Sequence, residues 1–261
     1  MCAAEKSYLR IGERNAPVRL LAFHHGGGSA LSFLPLARGL PDVCETFVFE
    51  LTGRAGDGGR APAADYAEAF ARFSVDATDV VDRPVVVIGH SLGALFAHNI
   101  ASLLPGDQRE LVHTVIVSAS RSAVSTAATA PMPDRPFLAR SRESLLADLH
   151  AFGGVQPEML EDADFVDAAV TLMGHDLHLA DTYTRPPSGP SPVPHQVWYG
   201  RQDATLPEEE RMRWDESCLA PAVHRGFSGG HFYLYERSEP GAALGELVTA
   251  AAAAAAGSPT S

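Results

Sequence analysis

The sequence predicts an α/β fold in which helices flank a mostly parallel central sheet. Short apolar, β-branched runs such as residues 85–88 and 112–118 alternate with longer segments, such as residues 65–82, whose apolar residues recur at helical spacing. In residues 89–93 a strand passes through a tight, glycine-flanked turn into a helix. Because no linker-like stretch divides the 261 residues, we expect one domain over residues 1–261 that carries a helical insertion.

The composition narrows the class of protein. With 46% hydrophobic and 20% charged residues the chain predicts a globular protein, and it has no apolar run long enough to cross a bilayer. The net charge of −12 repels nucleic acids and anionic membranes, so we expect neither as a partner. The first residues lack the apolar stretch of a secretion signal, which favours the cytoplasm. Cys2, Cys44 and Cys218 are odd in number and scattered, so we expect neither a disulfide framework nor a metal site.

The first half of the chain predicts four strands and two helices before the turn at residues 89–93. The second strand leads into the run Gly26-Gly27-Gly28, and a polar glycine-rich loop follows the third. The four strands are expected at residues 8–11, 17–23, 46–51 and 85–88, and the two helices at residues 31–40 and 65–82.

The second half predicts three more strands and a C-terminal helix. Residues 121–192 interrupt the alternation, because a helical insertion with proline-rich ends stands where the next strand is expected. The C-terminal helix is expected at residues 244–256, where alanine propensity favours it, and Gly257-Ser258-Pro259 should end it. The three strands are expected at residues 112–118, 195–200 and 222–227.

Two apolar stripes at helical spacing predict two helices within the insertion. The first carries Leu145, Leu149 and Phe152 on one face and is broken by Gly153-Gly154, and residues 165–173 begin the second. One interpretation is a static pair of helices that caps the core. The other, which we favour, is a lid over a site, with Gly153-Gly154 as its hinge.

Ser91, at the tight turn, is the candidate nucleophile. Serine needs a base to take its proton and a third group to orient that base. His231 lies in a glycine-rich loop just after the last predicted strand, and Asp203 follows the preceding strand in the same way. The resulting order Ser, Asp, His is that of an α/β-hydrolase fold. The competing residues lie on a strand, on the helix after Ser91 or in the insertion: His90, His98, His113, His175, Asp176, His178 and Asp181.

Two backbone N–H groups are candidates for an oxyanion hole. The Leu92 N–H begins the helix after the nucleophile, and the Gly26 N–H lies in the glycine run after a neighbouring strand. For Gly27 and Gly28 a plain turn is an equally good explanation. We expect His25, Gly27 and His90 to contact the substrate, because they adjoin these two donors.

These segments resemble the type II thioesterases that accompany polyketide and nonribosomal peptide synthetases. The resemblance implies hydrolysis of acyl groups from the phosphopantetheine arm of acyl or peptidyl carrier proteins, either to clear stalled chains or to release a product. It implies carrier proteins as partners and no cofactor beyond the substrate's phosphopantetheine, and we expect a monomer. It extends from about residue 23 to residue 234 and rests on residues 23–30, Phe33, Thr52-Gly53-Arg54, residues 89–94, 149–154, 176–183, Asp203 and residues 227–232.

Three positions depart from the usual pattern of that family. His24 stands where the family usually has proline, Gly26 where it usually has alanine, and Thr52 where it usually has proline. These departures predict a looser oxyanion loop or an altered choice of substrate.

Three other functions remain open. A carboxylesterase is one, because His25-Gly26-Gly27-Gly28 matches the oxyanion motif of lipases and esterases. Acyl transfer or cyclisation is another, since an amine or hydroxyl can replace water with the same three side chains. A non-enzymatic binding scaffold is disfavoured, because it would not need Ser91, Asp203 and His231 together.

Overall fold

The computed structural model describes residues 6–54, 60–129, 140–153, 155–186 and 189–257. Within these residues seven strands form one sheet in the order β1-β3-β2-β4-β5-β6-β7. β1 runs antiparallel to β3, whereas all other neighbouring pairs are parallel. The predicted mostly parallel sheet is therefore confirmed. The strands are β1 (Tyr8–Ile11), β2 (Val18–Phe23), β3 (Cys44–Phe49), β4 (Val85–His90), β5 (Val112–Ser118), β6 (His195–Gly200) and β7 (Val223–Phe227).

Helices cover both faces of the sheet. α2 and α3 pack on one face in a core cluster that includes Phe73 and Phe96, and α10 packs on the other in a cluster that includes Leu244. No helix in the described ranges is long and apolar enough to cross a membrane. The helices are α1 (Leu34–Arg38), α2 (Tyr66–Val80), α3 (Leu92–Leu103), α4 (Gly106–Arg109), α5 (Ala123–Thr129), α6 (Arg142–Phe152), α7 (Ala163–Asp181), α8 (Glu208–Met212), α9 (Tyr233–Glu236) and α10 (Ser238–Gly257).

Two predicted helices have different bounds. The segment predicted as one helix over residues 31–40 divides into a 3₁₀ turn, Ala30–Phe33, and α1, which has proline in its first turn. Proline has no N–H to donate to the preceding turn, so a new helix can begin there but the old one cannot continue through it. α10 begins at Ser238, six residues before the predicted start, and the added turns bury Pro240 and Ala243. Residues 258–259, the predicted stop, lie outside the described residues.

The insertion has a small core of its own. Leu145 and Leu149 of α6 pack against Val166, Val170 and Met173 of α7, as the two apolar stripes predict. α6 ends at Gly153, where φ is +72° and ψ is −156°, a backbone conformation that favours glycine. Gly154 and the prolines at 131, 133, 136 and 187 lie outside the described residues, so the hinge stays a prediction.

The sheet order gathers the functional segments at one edge. β2 lies beside β4, with Phe23 paired to Gly89, so the glycine run emerges next to the turn at Ser91. β6 and β7 are also neighbours, with Gly200 paired to Phe227. Because parallel strands end at the same edge, the loops after all four strands meet there.

Candidate active site

Ser91 lies at a sharp turn between β4 and α3. Its φ is +53° and its ψ is −119°, a strained conformation for a residue with a side chain. The Ser91 N–H donates to the Ser118 carbonyl oxygen at 2.8 Å, which holds the turn. A Cβ at Gly89 would lie 2.0 Å from the Gly93 carbonyl oxygen, and one at Gly93 would lie 2.1 Å from the Phe23 carbonyl oxygen. Only glycine permits these approaches, and the predicted turn is confirmed.

Asp203 and His231 are brought together at the ends of β6 and β7. Their loops are joined because the Gln202 N–H donates to the Gly229 carbonyl oxygen at 3.0 Å and the Gly229 N–H donates to Gln202 Oε1 at 2.6 Å. His231 Nδ1 lies 2.8 Å from Asp203 Oδ2. A carboxylate only accepts, so Nδ1 carries the proton and the lone pair of the neutral ring is on Nε2. This arrangement suits a general base whose orientation is fixed by an acid.

Thr205 is a partner of Asp203 that the sequence reasoning missed. Its backbone N–H and its hydroxyl both donate to Asp203 Oδ1, at 2.9 Å and 2.6 Å. Burial raises the pKa of Asp203, but the hydrogen bonds from His231 and Thr205 outweigh it and hold the pKa below its usual value. A hydroxyl residue two positions after an aspartate is a common turn pattern, so a signal for Thr205 was present in the sequence.

Ser91 and His231 face one cavity of about 250 Å³. A larger cavity, of about 940 Å³, lies between α1 and α10 and holds none of the predicted site residues, so volume alone does not locate the site. The smaller cavity has an apolar wall on one part of its lining and polar side chains, including Arg121, Arg140 and Asp148, on the rest. Its apolar wall is formed by Leu92, Leu95, Ala119, Phe152, Met173, Leu177, Ala180, Leu206 and Phe232.

The two predicted oxyanion donors adjoin this cavity. Leu92 is the first residue of α3, so its N–H has no acceptor within the helix. Within the described part of the chain, the N–H groups of Leu92 and Gly26 donate to no other residue, whereas those of Gly27 and Gly28 are engaged. Gly27 donates to Asp176 Oδ2 at 2.6 Å and Gly28 to the His25 carbonyl oxygen at 3.1 Å. Gly26 is therefore the member of the glycine run whose N–H is available to a ligand.

The structure supports one of the three predicted substrate contacts. His25 lines the cavity, and burial, with the nearby charges of His24, His231 and Arg54, lowers its pKa to about 3, so the ring is neutral. His90 was expected to contact substrate, which is wrong: its side chain is fully buried, with Nδ1 2.9 Å from Ser118 Oγ. The His90 ring packs against the ring of His231, at 5.3 Å between centroids, and His90 does not line the described cavity.

Gly27 was also expected to contact substrate, and the structure does not place it there. It is absent from the described cavity wall, and its N–H is bonded to Asp176. Its φ of +76° is a backbone conformation that glycine tolerates.

The insertion covers the cavity with α6 and α7. The Phe152 ring lies 4.8 Å from the ring of His231, centroid to centroid. Arg140 adds a polar patch to the wall, since it donates to Asp181 at 2.8 Å and 2.6 Å. The cap therefore contacts both the substrate space and the candidate base.

The structure shows the contacts of the three residues that depart from the family pattern. His24 is buried, with Nδ1 2.7 Å from the His25 carbonyl oxygen and Nε2 3.1 Å from Glu50 Oε1. A Cβ at Gly26 would lie 3.4 Å from the Asp176 Cβ, an ordinary contact, so the space would also accept alanine. The Thr52 carbonyl oxygen accepts from Arg54 Nη1 at 3.0 Å.

Comparison with known proteins agrees with this geometry. The chain is 29% identical over 236 residues to phenyloxazoline synthase MbtB of Mycobacterium tuberculosis, a match that covers 90% of this chain but only 16% of that protein's length. It is 29% identical over 226 residues to thioesterase PikA5 of Streptomyces venezuelae, covering 85% of this chain and 78% of that one.

Solved structures show the same architecture. The type II thioesterase BorB from the borrelidin biosynthetic cluster superposes with a TM-score of 0.74 and 25% identity, over 91% of this chain and 94% of its own. The RedJ thioesterase of Streptomyces coelicolor superposes with a TM-score of 0.75 and 22% identity, over 89% and 91% of the two chains. The predicted α/β-hydrolase fold is thereby confirmed. The profile of the thioesterase domain matches residues 18–248, and the chain therefore belongs to the thioesterase domain family.

Proposed function

We propose that this chain is a serine thioesterase that releases acyl groups from the phosphopantetheine arm of acyl or peptidyl carrier proteins. The observation that carries the proposal is the strained turn at Ser91, which faces one cavity with His231, whose Nδ1 lies 2.8 Å from Asp203. Ser91 is the nucleophile, His231 the base and Asp203 the acid that orients it. The N–H groups of Leu92 and Gly26 form the oxyanion hole.

Catalysis proceeds in two halves. His231 Nε2 takes the Ser91 hydroxyl proton as Oγ attacks the thioester carbon, and the two N–H groups stabilise the oxyanion. The C–S bond then breaks, the pantetheine sulfur leaves with the proton from His231, and the acyl group stays on Ser91. In the second half His231 deprotonates a water that attacks the acyl ester, and the collapse releases a carboxylic acid and returns the proton to Ser91.

The proposed substrate class rests on relatives and on chemistry. PikA5 is named a thioesterase, and BorB a type II thioesterase from a biosynthetic cluster. A carrier domain adds protein contacts and a long pantetheine arm, so binding energy remote from the reacting carbon can position the thioester over Ser91. Editing of stalled chains or product release both fit this chemistry. We place the enzyme in the cytoplasm, in agreement with the free, buried thiols of Cys44 and Cys218, and we expect it to be a monomer.

The test compares three substrates that carry the same acyl group. The wild-type chain should show a much higher kcat/KM with the acyl-carrier protein than with the acyl-N-acetylcysteamine thioester, and the p-nitrophenyl ester should be a poor substrate. Ser91→Ala should lose turnover by about 10⁴-fold or more and should not be labelled by a fluorophosphonate. Equally efficient hydrolysis of the ester and the carrier thioester would replace the proposal with a carboxylesterase.

A further inference from the structure

Two segments that carry the family resemblance have no part in the reaction described above. They are the Thr52-Gly53-Arg54 loop and the stretch of α7 that contains Asp176. Their charged side chains meet behind the glycine run, 122 residues apart in the chain. Arg54 Nη1 donates to Asp176 Oδ1 at 3.0 Å, and Nη2 donates to Oδ2. Both side chains are almost fully buried, 5% and 2% exposed, so the two charges depend on each other.

The same pair binds the backbone of the glycine run. Asp176 Oδ2 accepts the Gly27 N–H at 2.6 Å, and Arg54 Nε donates to the Gly28 carbonyl oxygen at 3.0 Å. One N–H and one C=O of consecutive residues are thus attached to one buried ion pair. Gly26, directly before them, lines the cavity, and its N–H donates to no other described residue.

A run of three glycines needs such support. Glycine has more backbone freedom than any other residue, so this loop has many alternative conformations that would turn the Gly26 N–H away from the cavity. An oxyanion donor is effective only when it is already aimed at the place where the charge develops. The side chains that fix Gly27 and Gly28 therefore decide where the Gly26 N–H points.

The charge on Arg54 has a second effect. Asp176 lies close to the Gly26 position, since a Cβ at Gly26 would be 3.4 Å from the Asp176 Cβ. An unpaired carboxylate there would oppose negative charge on the reacting carbonyl, whereas the bidentate guanidinium cancels it.

We propose that Arg54 and Asp176 are positioning residues for the oxyanion hole and that they couple the cap helix α7 to the Gly26 N–H. This inference rests on the proposed function, because it assumes that Gly26 serves a reaction at Ser91. It gives a function to both segments. The Thr52-Gly53-Arg54 loop supplies the Arg54 guanidinium that holds the glycine run, and α7 of the cap supplies the Asp176 carboxylate.

The experiment measures kcat and KM for wild type, Asp176→Asn and Arg54→Met with an acyl-N-acetylcysteamine thioester. Asp176→Asn should lower kcat roughly 10- to 100-fold, while KM should change by no more than about threefold. Arg54→Met should lower kcat further, because it leaves the carboxylate uncompensated beside the oxyanion. If the Arg54–Asp176 pair only stabilised the fold, kcat per folded molecule would be the same in the wild type and in both variants.

Asp76→Asn is the matched control. Asp76 is a buried aspartate of α2 that accepts from Ser7 at 2.5 Å and 2.7 Å and from Lys6 at 3.0 Å, and it does not line the described cavity. This variant should lower the thermal midpoint and leave the kcat of the folded protein unchanged. If Arg54→Met does not fold, Arg54→Lys replaces it, since lysine keeps the charge but lacks the fork that reaches Asp176 and Gly28 together.

A second readout separates this inference from the proposed function. Fluorophosphonate labelling of Ser91 also develops negative charge on an oxygen, so Asp176→Asn should slow labelling as well as turnover. Normal labelling and normal kcat in folded Asp176→Asn would overturn the inference and leave the thioesterase intact. A wild-type chain that is labelled but hydrolyses no thioester would overturn the proposed function, and slow labelling of Asp176→Asn would then still support the positioning role.

Discussion

The strand-end loops and the cap helices contribute to the same cavity in different ways. Ser91, Asp203 and His231 stand on loops that are tied to the sheet or to each other by backbone hydrogen bonds, such as the bond from Ser91 N–H to the Ser118 carbonyl oxygen at 2.8 Å. The cap reaches the site through side chains, with the Phe152 ring against His231 and the Asp176 carboxylate on Gly27. The groups that we propose to react are therefore held by backbone hydrogen bonds, whereas the cap contributes through side-chain packing and side-chain hydrogen bonds.

The two regions also differ in how firmly they are buried. β2 and β4, the strands that lead to the glycine run and to Ser91, are buried throughout, as with Val85 to Ile88 at 0% exposure. The cap has a separate small cluster whose members, such as Leu149 at 9%, remain slightly exposed. Buried apolar area scales with stability, so the cap should tolerate change at a smaller cost to the fold. Substitutions of Ser91, Asp203 or His231 in the strand-end loops should abolish turnover, and substitutions of the cap residues that line the cavity should alter substrate choice.

Asp203→Asn should have the largest effect of the substitutions that compare the two regions. The amide cannot hold the Nδ1–H tautomer of His231 as the carboxylate does, so kcat should fall by about 10⁴-fold while the protein stays folded. The matched control is Asp215→Asn, because Asp215 accepts from His224 at 3.2 Å in a second Asp–His pair that does not line the described cavity. Steady-state kinetics and thermal unfolding of both variants test this.

The relative activity of the Asp203→Asn and Asp176→Asn variants decides which carboxylate orients the base. Asp203→Asn should be much less active than Asp176→Asn, since the first disables the base and the second only loosens an oxyanion donor. The reverse order would show that the acid of the catalytic group had been wrongly chosen.

Gly153→Ala should have a moderate effect, mainly on long substrates. The residue ends α6 at a φ of +72°, directly after Phe152, and strain there should cost about 1 to 3 kcal/mol. The shifted Phe152 should change kcat/KM for a long acyl chain roughly fivefold and leave an acetyl group nearly unaffected. Measurements with matched acetyl and long-chain thioesters test this.

Gly189→Ala is the control for strain alone. Gly189 has a φ of +78° and, like Gly153, has no atom of the described residues within 4 Å of an added Cβ. It should lower the thermal midpoint without changing the ratio of long-chain to acetyl activity. Equal effects of Gly153→Ala on both chain lengths would identify the cap as static.

The smallest expected effect is on stability in acid. The folded pKa of Asp203 lies below the unfolded value of about 3.9, so its stabilising contribution is complete above that value and is lost as the pH falls through the folded pKa. The difference in free energy of unfolding between wild type and Asp203→Asn should therefore shrink from neutral pH to about pH 3. Urea unfolding at both pH values measures it, and a constant difference would contradict the low pKa.

The sequence by itself determined the fold class and the strand-end positions of the groups that we propose to react. Strand-end loops can be located from local patterns, because apolar runs mark the strands and residues such as Ser91, Asp203 and His231 follow them directly. Glycine at 89 and 93 further marked the turn at Ser91, since only a missing side chain permits the close approach of β4, α3 and β2. The strand ends and the glycine-flanked turn can be predicted because they depend on short segments and on sheet topology.

Only the tertiary structure decided which side chains support the groups at the strand ends. The bond from Gly27 to Asp176 and the pairing of Asp176 with Arg54 depend on how α7 packs on the glycine run. The direction of His90 depends on its hydrogen bond to Ser118 of the neighbouring strand β5. The last pair spans 122 residues of sequence, and no local pattern in either segment indicates the other. Long-range contacts between buried polar groups follow from the packing of whole elements. A buried polar group needs a hydrogen-bond partner, and the packing determines which groups lie close enough to be that partner.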